Sequence, residues 1–343
     1  MMQPFKITVV TSAYNAASYI GRCLESVHDQ VWPADSQRDV VMSHWVIDAG
    51  SKDGSVGILE RWKAGTRPCV PLIDDGGDRE REITTQGGSA DSRTDAPAAG
   101  RPPASRYAFD YLTEPDRGQC DGFNKGVRVA SGEWICWLNA DDELEPGAIR
   151  AFMDCLEAHA DADVIYGHTR FIDDQSRPLK TSYHIPFHPM LLLNAVYAPP
   201  SSGTFFRRNL LLEHPLDVEY HYVMDTEWFM RCRHQIHAVL ADNVMCRFRI
   251  SNQGKTSGQI QTGICTAEHQ DERVKMLRKY VFPRWPELDE RQAGERLARY
   301  RSWSRVFYYF LKSRYLPRYV TNRFFPGLAN GLARRSARAA AAI

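Results

Sequence analysis

The sequence predicts an α/β fold in which a mostly parallel central sheet is flanked by helices and followed by a helical C-terminal extension. Three observations carry that expectation. Short apolar runs alternate with amphipathic stretches from Phe5 to about residue 250, the pattern of strands alternating with helices. The run Trp134 to Leu138 is apolar throughout, as a strand covered on both faces must be. That run stops at Asn139, Ala140, Asp141 and Asp142. Carboxylates therefore emerge at the carboxyl end of a strand, where open α/β sheets bind their ligands.

Phe5 to Val10 reads as the first strand, and Ser18 precedes Ile20, Leu24 and Val27, which share one helical face. His44 to Ile47 reads as the second strand, ending at Asp48. Ser55 is then placed to cap a helix carrying Ile58, Leu59 and Trp62. Residues 76–105 are rich in Gly, Ser, Asp, Arg, Ala and Pro, with almost no large apolar side chains, and read as a flexible insertion. Residues 107–112 resume the sheet. A helix is expected from about Asp121 to Val129, another from Pro146 through Ile149, Phe152, Met153 and Leu156, and a strand from Val164 to Phe171. Trp228, Phe229 and Met230 begin a buried helix face, with Asp225 at its mouth.

Bulk properties narrow the function classes. A formal charge of +1 over 343 residues does not propose nucleic acid as a partner. Eight cysteines occur without a Cys-X-X-Cys pair or a spaced Cys/His set, and a cleavable signal sequence is not recognised, so reduced thiols in a cytoplasmic protein are expected. No run approaches the apolar length that spans a bilayer.

Two adjacent carboxylates at a strand end repel one another, and they persist most easily when a divalent cation shares them. Their hard oxygens suit Mg²⁺ or Mn²⁺. The competing reading is that Asp141 and Asp142 cap the helix that Glu145 and Pro146 open. The remaining motifs decide between the two. Val9 to Asn15, Val46 to Ser55, the group Glu114, Pro115, Asp116 and Gly118, and the group Asp121, Asn124, Lys125 and Gly126 precede the acidic pair in order. Together they resemble the family 2 inverting glycosyltransferases of GT-A fold, bacterial type, over roughly residues 5–250.

The resemblance implies that Thr11, Ala13 and Tyr14 flank a nucleotide, that Asp48 contacts its base, and that Asp53 supports the loop. The reading of Asp53 as a turn residue bonding its own backbone stays open. The resemblance also places Asp116, Arg117, Asn124, Lys125 and Asn139 on the donor, with positive groups and a helix N-terminus near its diphosphate. It implies that Asp141 and Asp142 hold Mg or Mn. The family's Glu-Asp pair aligns with Met224 and Asp225, so the Glu is missing; Asp225 is the expected catalytic base and Glu227 the reserve candidate. His184 to Phe206 would line the acceptor side, and Arg247 to Thr256 would close over the donor. His269 reads as a helix surface residue.

The implied reaction moves a sugar from a nucleotide-diphosphate donor, a UDP-sugar first among them, to a glycan or lipid-linked acceptor in cell-surface polysaccharide or glycoconjugate biosynthesis. A nucleotidyltransferase and a non-catalytic sugar-nucleotide-binding protein are the alternatives. The first would carry a Gly-rich basic loop in place of Thr11 to Asn15, and the second would lose the acids that are kept here.

The sequence divides into a GT-A catalytic domain at 1–250 and a basic, aromatic helical extension at 251–343. Past Glu295 there is no acidic residue, and Arg299, Arg301, Arg305 and Lys312 interleave with Trp303, Phe307, Phe310 and Leu311. This pattern suits a helix lying on an anionic membrane surface, which would make the protein peripheral on the cytoplasmic face, or one packed on the domain or on another subunit. Ala339 to Ala342 is expected to fray.

Overall fold

A computed structural model describes residues 4–30, 40–65, 106–195, 197–251 and 265–315. The 76–105 insertion, the 252–256 part of the donor-closing segment and the alanine tail lie outside the described residues.

The first half alternates strands and helices: β1 (Phe5–Ala13), α1 (Ile20–His28), β2 (Val40–Asp48), α2 (Ser55–Lys63), β3 (Tyr107–Thr113), α3 (Gln119–Val129) and β4 (Trp134–Trp137). Next come β5 (Glu143–Leu144), α4 (Ala148–Ala158), β6 (Val164–Ile172), β7 (Pro178–Ser182) and α5 (Pro189–Leu193). The chain continues through β8 (Thr204–Arg207), α6 (Arg208–Glu213), α7 (Met224–Cys232) and β9 (Ala238–Arg249). Two helices follow, α8 (Ala267–Tyr280) and α9 (Glu290–Ser313).

Among the described residues, nine strands form one sheet in the order β3-β2-β1-β4-β8-β6-β9-β5, with β7 added beside β6. β3, β2, β1 and β4 are parallel, whereas β8 is antiparallel to both β4 and β6. β1 is longer than its apolar run suggests, because pairing with β2 continues to Ala13 opposite Asp48. That extension carries Ser12 and Ala13 to the edge of the site.

Strand alternation divides the core into two layers. Ile7 and Val9 of β1, with Trp134 and Cys136 of β4, face α1, α2 and α4. Val10, Ile135 and Trp137 face the other way, toward α3, α7 and the C-terminal helices. Phe152 stacks on Phe205 at 4.2 Å in the first layer, and Phe123 on Trp137 at 4.4 Å in the second. Each fully buried large side chain contributes about 1.5–3 kcal/mol of apolar transfer. Met276, Leu277, Val281, Ala293 and Leu297 join the second layer, so α8 and α9 share its core.

Close packing brings α3 onto β1. A Cβ on Gly126 would lie 2.2 Å from Val10 Cγ1, closer than any carbon contact allows. α3 therefore seats directly on the strand, and its N-terminal end comes to the sheet's carboxyl edge.

Ser55, expected as a cap, is instead the first helical residue of α2. The turn before it is closed by Gly54 at φ 99° and by Asp53, whose Oδ1 accepts from Ser55 N at 3.0 Å.

Candidate active site

A cavity of about 630 Å³ opens at the carboxyl ends of β1 and β4, within the usual size of small-molecule sites. Its nucleotide-side wall, by the expected roles, is formed by Ser12, Ala13, Tyr14 and Asn15. Tyr14 is 65% exposed. Ser12 Oγ is buried and without a hydrogen-bond partner among the described residues. Thr11, one residue earlier, faces the opposite side: it is fully buried, with Oγ1 3.0 Å from His44 Nε2. Strand alternation excludes Thr11 and admits Ser12.

The loops after β1 and β2 are laced together. Asn15 N donates to Ser51 Oγ at 2.8 Å, and Lys52 N to Asn15 Oδ1 at 3.0 Å. Asp53 accepts from Ala17 N at 2.9 Å and from Ser55 Oγ at 2.6 Å. Burial pushes the Asp53 pKa up, but these donors outweigh it and leave it below the usual carboxylate value. Asp48 departs from the expected base contact. Its side chain is fully buried, and Oδ2 accepts from Gly50 N and Ser51 N, each at 3.0 Å. The cavity wall there is Ala49.

Asp116, Gly118 and Gln119 form the next wall. Asp116 Oδ1 accepts from Gly118 N at 2.8 Å, and burial raises its pKa. Gly118 adopts φ 110°, and a side chain there would meet the His221 ring at 3.1 Å.

Three residues expected at the diphosphate point elsewhere. Asn124 is buried and exchanges hydrogen bonds with the Leu216 backbone at 2.9 and 3.0 Å. Lys125 Nζ donates to Pro115 O at 2.7 Å and pairs with Glu114 at 3.0 Å. Arg117 is a solvent-facing partner of Asp121 at 3.4 Å. Lys125 and Arg117 brace the loop before α3, Asn124 ties α3 to the Leu216 backbone, and none lines the cavity.

The two neighbouring carboxylates separate in space. Asp141 lines the cavity, whereas Asp142 is 1% exposed behind it. Asp142 accepts from Arg249 N at 2.9 Å and from Asn139 Nδ2 at 3.0 Å. Burial, reinforced by the charge of Asp141, raises the Asp142 pKa well above the usual carboxylate value. Asn139 lines the cavity and ties this loop to its surroundings, its Oδ1 accepting from Gln119 Nε2 at 2.6 Å and Trp137 Nε1 at 2.9 Å.

Arg249, at the end of β9, locks the same loop from behind. Its guanidinium donates to Asp141 O at 2.8 Å, Asp173 O at 2.6 Å, Ser176 Oγ at 3.0 Å and the Glu143 carboxylate, and it lies over the Tyr19 ring at 4.9 Å. Arg249 is the only Arg or Lys among the described residues at the cavity, and its side chain is fully buried behind the wall.

Across the cavity, Asp225 stands on the first turn of α7. Its Oδ1 accepts from Thr226 N at 2.6 Å, and burial raises its pKa. Glu227, the reserve candidate, is fully buried on the other side of α7. There it receives Arg231 Nε at 3.1 Å and the Tyr280 hydroxyl, a structural arrangement remote from the cavity wall.

The structure adds residues that the motifs did not single out individually: Ser12, Gln119, Ser201, His221 and Arg249. Ser201 and Arg249 lay in segments assigned to the acceptor and donor sides, so a coarse signal existed for them. For His221, about 100 residues from Gly118, there was none.

A family profile described as glycosyl transferase family 2 matches residues 8–80 and 87–233. The chain belongs to this family. It is 26% identical over 213 residues to an uncharacterized glycosyltransferase of Nostoc sp., a match covering 60% of this chain and 52% of that protein. A second uncharacterized glycosyltransferase, from Mycobacterium tuberculosis, is 25% identical over 179 residues, or 51% of this chain and 66% of the relative. The matches thus span between about half and two thirds of these relatives.

Two solved structures share the fold with this family 2 chain. S. aureus TarS 1-349 in complex with UDP-GlcNAc aligns with a TM-score of 0.52 and 13% identity, over 80% of this chain and 65% of that one. The mannosyltransferase PcManGT from Pyrobaculum calidifontis, in complex with GDP-Man and Mn²⁺, aligns with a TM-score of 0.50 and 16% identity, over 81% and 64%. The fold is therefore of the GT-A type that the motifs imply.

Proposed function

We propose that the protein transfers a glycosyl unit, with inversion, from a nucleoside-diphosphate sugar to a hydroxyl of a glycan or lipid-linked acceptor. The observation that carries this reading is the placement of Asp141 and Asp225 in one cavity whose nucleotide-side wall contains Tyr14 and the unpartnered Ser12 hydroxyl. Family membership favours glycosyl transfer over the nucleotidyltransferase alternative. UDP-GlcNAc and GDP-Man in the two structural neighbours support a nucleotide-sugar donor, with UDP-sugars to be tested first.

Asp225 acts as general base. It takes the proton of the acceptor hydroxyl as that oxygen attacks the anomeric carbon and the bond to the diphosphate breaks on the opposite face. A pKa raised by burial makes its carboxylate a better proton acceptor. Ser12, Ala13 and Tyr14 hold the nucleoside, and Asp116, Gln119 and Asn139 border the sugar and phosphates.

The donor set fits Mg²⁺ or Mn²⁺. It is made of hard carboxylate oxygen, and the Arg249 guanidinium is fully buried behind the described wall and engaged with the protein, so a diphosphate needs another source of positive charge. No group of three or more His, Cys, Asp or Glu among the described residues holds such an ion unaided, so Asp141 would share it with substrate oxygens. When bound, the ion neutralises charge on the diphosphate. Asp142 sets the loop from behind.

The experiment is a binding and turnover panel of UDP-glucose, UDP-GlcNAc and GDP-mannose with and without Mn²⁺. Asp141→Asn should lose Mn²⁺-dependent nucleotide binding. Asp225→Asn should keep nucleotide affinity and lose about 10²–10⁴-fold in turnover. Near-parental turnover in Asp225→Asn refutes the base, and unchanged Mn²⁺ dependence in Asp141→Asn refutes the metal site.

The acceptor is proposed to be reached at an anionic membrane surface. No helix among the described residues is long and apolar enough to cross a membrane. The inner face of α9 packs on the domain through Ser304 and Asn194 at 2.8 Å and through Phe307 against His188 at 5.4 Å. Its outer face exposes Trp303 by 78% and Phe310 by 72%, beside Val306 and Tyr309. With Arg299 exposed on that face and no acid past Glu295, it would complement anionic lipid.

A further inference from the structure

Glu272 lies on α8, 39 residues beyond the end of the family match at residue 233. Its carboxylate reaches the loop that leads into α7. One oxygen accepts from His221 N at 2.8 Å, and the other accepts from Tyr222 N at 2.7 Å and Val223 N at 3.2 Å. Three successive amides converging on one point form an anion-binding concavity, and here a carboxylate of the chain itself fills it. Val223 is the N-cap of α7 and makes no side-chain cap of its own, so at its amide Glu272 supplies an acceptor at this end of the helix. A negative charge at this end also opposes the positive end of the helix dipole.

The loop so held is part of the cavity. His221, Tyr222, Met224 and Asp225 all line it. Tyr222 is held a second time, its ring stacked on that of His269 at 5.6 Å and 18°, and His269 also belongs to α8. α8 can act as a fixed support because its far end is anchored in the core. Met276 and Leu277 are buried, and the Tyr280 hydroxyl donates to the buried Glu227 on α7. Lys275 and Lys279 pair with Glu219 and Asp217 at 2.7 and 3.5 Å, so the helix follows the loop from residue 217 to residue 223.

We propose that Glu272 is a positioning residue. It clamps the His221–Val223 loop and thereby sets the place of the Asp225 carboxylate and of the acceptor-side wall. This rests on the glycosyl-transfer reading for its catalytic consequence, but the clamp itself is independent of that reading. It also makes α8 a working part of the site.

The test compares the full-length parent with Glu272→Ala and Glu272→Gln by three measurements: amide exchange across residues 220–224, Mn²⁺-dependent UDP affinity, and nucleoside diphosphate release from UDP-glucose, UDP-GlcNAc and GDP-mannose. Glu272→Ala should speed exchange of the three amides and lower turnover by about 10-fold or more, as a displaced catalytic group does. UDP affinity should stay within about twofold, because the nucleotide-side wall does not depend on α8. Glu272→Gln keeps one acceptor oxygen and should recover part of both losses. Parental turnover in Glu272→Ala, or a loss of UDP affinity as large as the loss of turnover, overturns the positioning role. If the parent releases nucleoside diphosphate from none of the donors, the glycosyl-transfer reading fails. The exchange data then decide the clamp, which is overturned by unchanged exchange in Glu272→Ala.

Discussion

Gly126→Ala tests the packing that brings α3 to the cavity. Two effects oppose one another. In a helix interior, alanine is favoured over glycine by up to about 1 kcal/mol. Against this, the new Cβ would lie 2.2 Å from Val10 Cγ1 and 3.3 Å from Ile47 Cγ1, where carbon contacts need about 3.5–4 Å. Val10 is fully buried, β-branched and on a central strand, so its side chain cannot rotate aside without cost. Overpacking of this kind costs about 1–3 kcal/mol. The overlap should win, leaving the variant less stable by about 1–2 kcal/mol and its Tm lower by roughly 1–3 °C. Because Gly118 and Gln119 at the start of α3 line the cavity, Mn²⁺-dependent nucleotide affinity should fall as well. The decisive assay is urea unfolding of a double-mutant cycle. In a Val10→Ala background the severe overlap with Val10 Cγ1 disappears and only the milder approach to Ile47 remains, so Gly126→Ala should become near neutral or stabilising, a coupling of about 1–3 kcal/mol. An equal penalty in both backgrounds, or a stabilised single variant, would refute the reasoning.

Two further outcomes follow from other parts of the molecule. His44 is fully buried and its pKa is pushed down to about 3 by burial, while the unfolded chain protonates near 6.5. Stability from this residue is therefore complete above pH 6.5 and is lost as pH falls from 6.5 toward 3. That is about 2 kcal/mol between pH 7 and pH 5, which urea unfolding of His44→Gln should show removed; an unaltered pH dependence contradicts it. For α9, Trp303→Ser with Phe310→Ser should abolish low-salt co-sedimentation with anionic vesicles while leaving melting temperature unchanged. Parental binding in that variant, or binding insensitive to salt, would rule out the proposed membrane face.

The alternating apolar runs determined the strand–helix order of the first half, and Trp134 to Leu138 located the strand end that carries the acids. These features are local: burial on both faces demands a continuous apolar run, and helices demand a 3.6-residue period, so each is written within about ten residues. The motif order likewise pointed to the carboxyl edge of the sheet and to Asp141 and Asp225. The direction of each side chain was decided by the tertiary structure. One residue along a strand reverses the face, which is why Ser12 lines the cavity and Thr11 is hydrogen-bonded to His44 in the core. Asn124 and Lys125 carry polar groups suited to a diphosphate, but tertiary contacts turned them to the Leu216 backbone and to Pro115 O. Asp141 and Asp142 are adjacent in the chain, and tertiary contacts, Arg249 from β9 among them, separate a cavity-lining carboxylate from a buried one. Glu272 meets His221 across 51 positions. A contact at that separation leaves no periodicity to read, since it exists only once the sheet and α8 have packed.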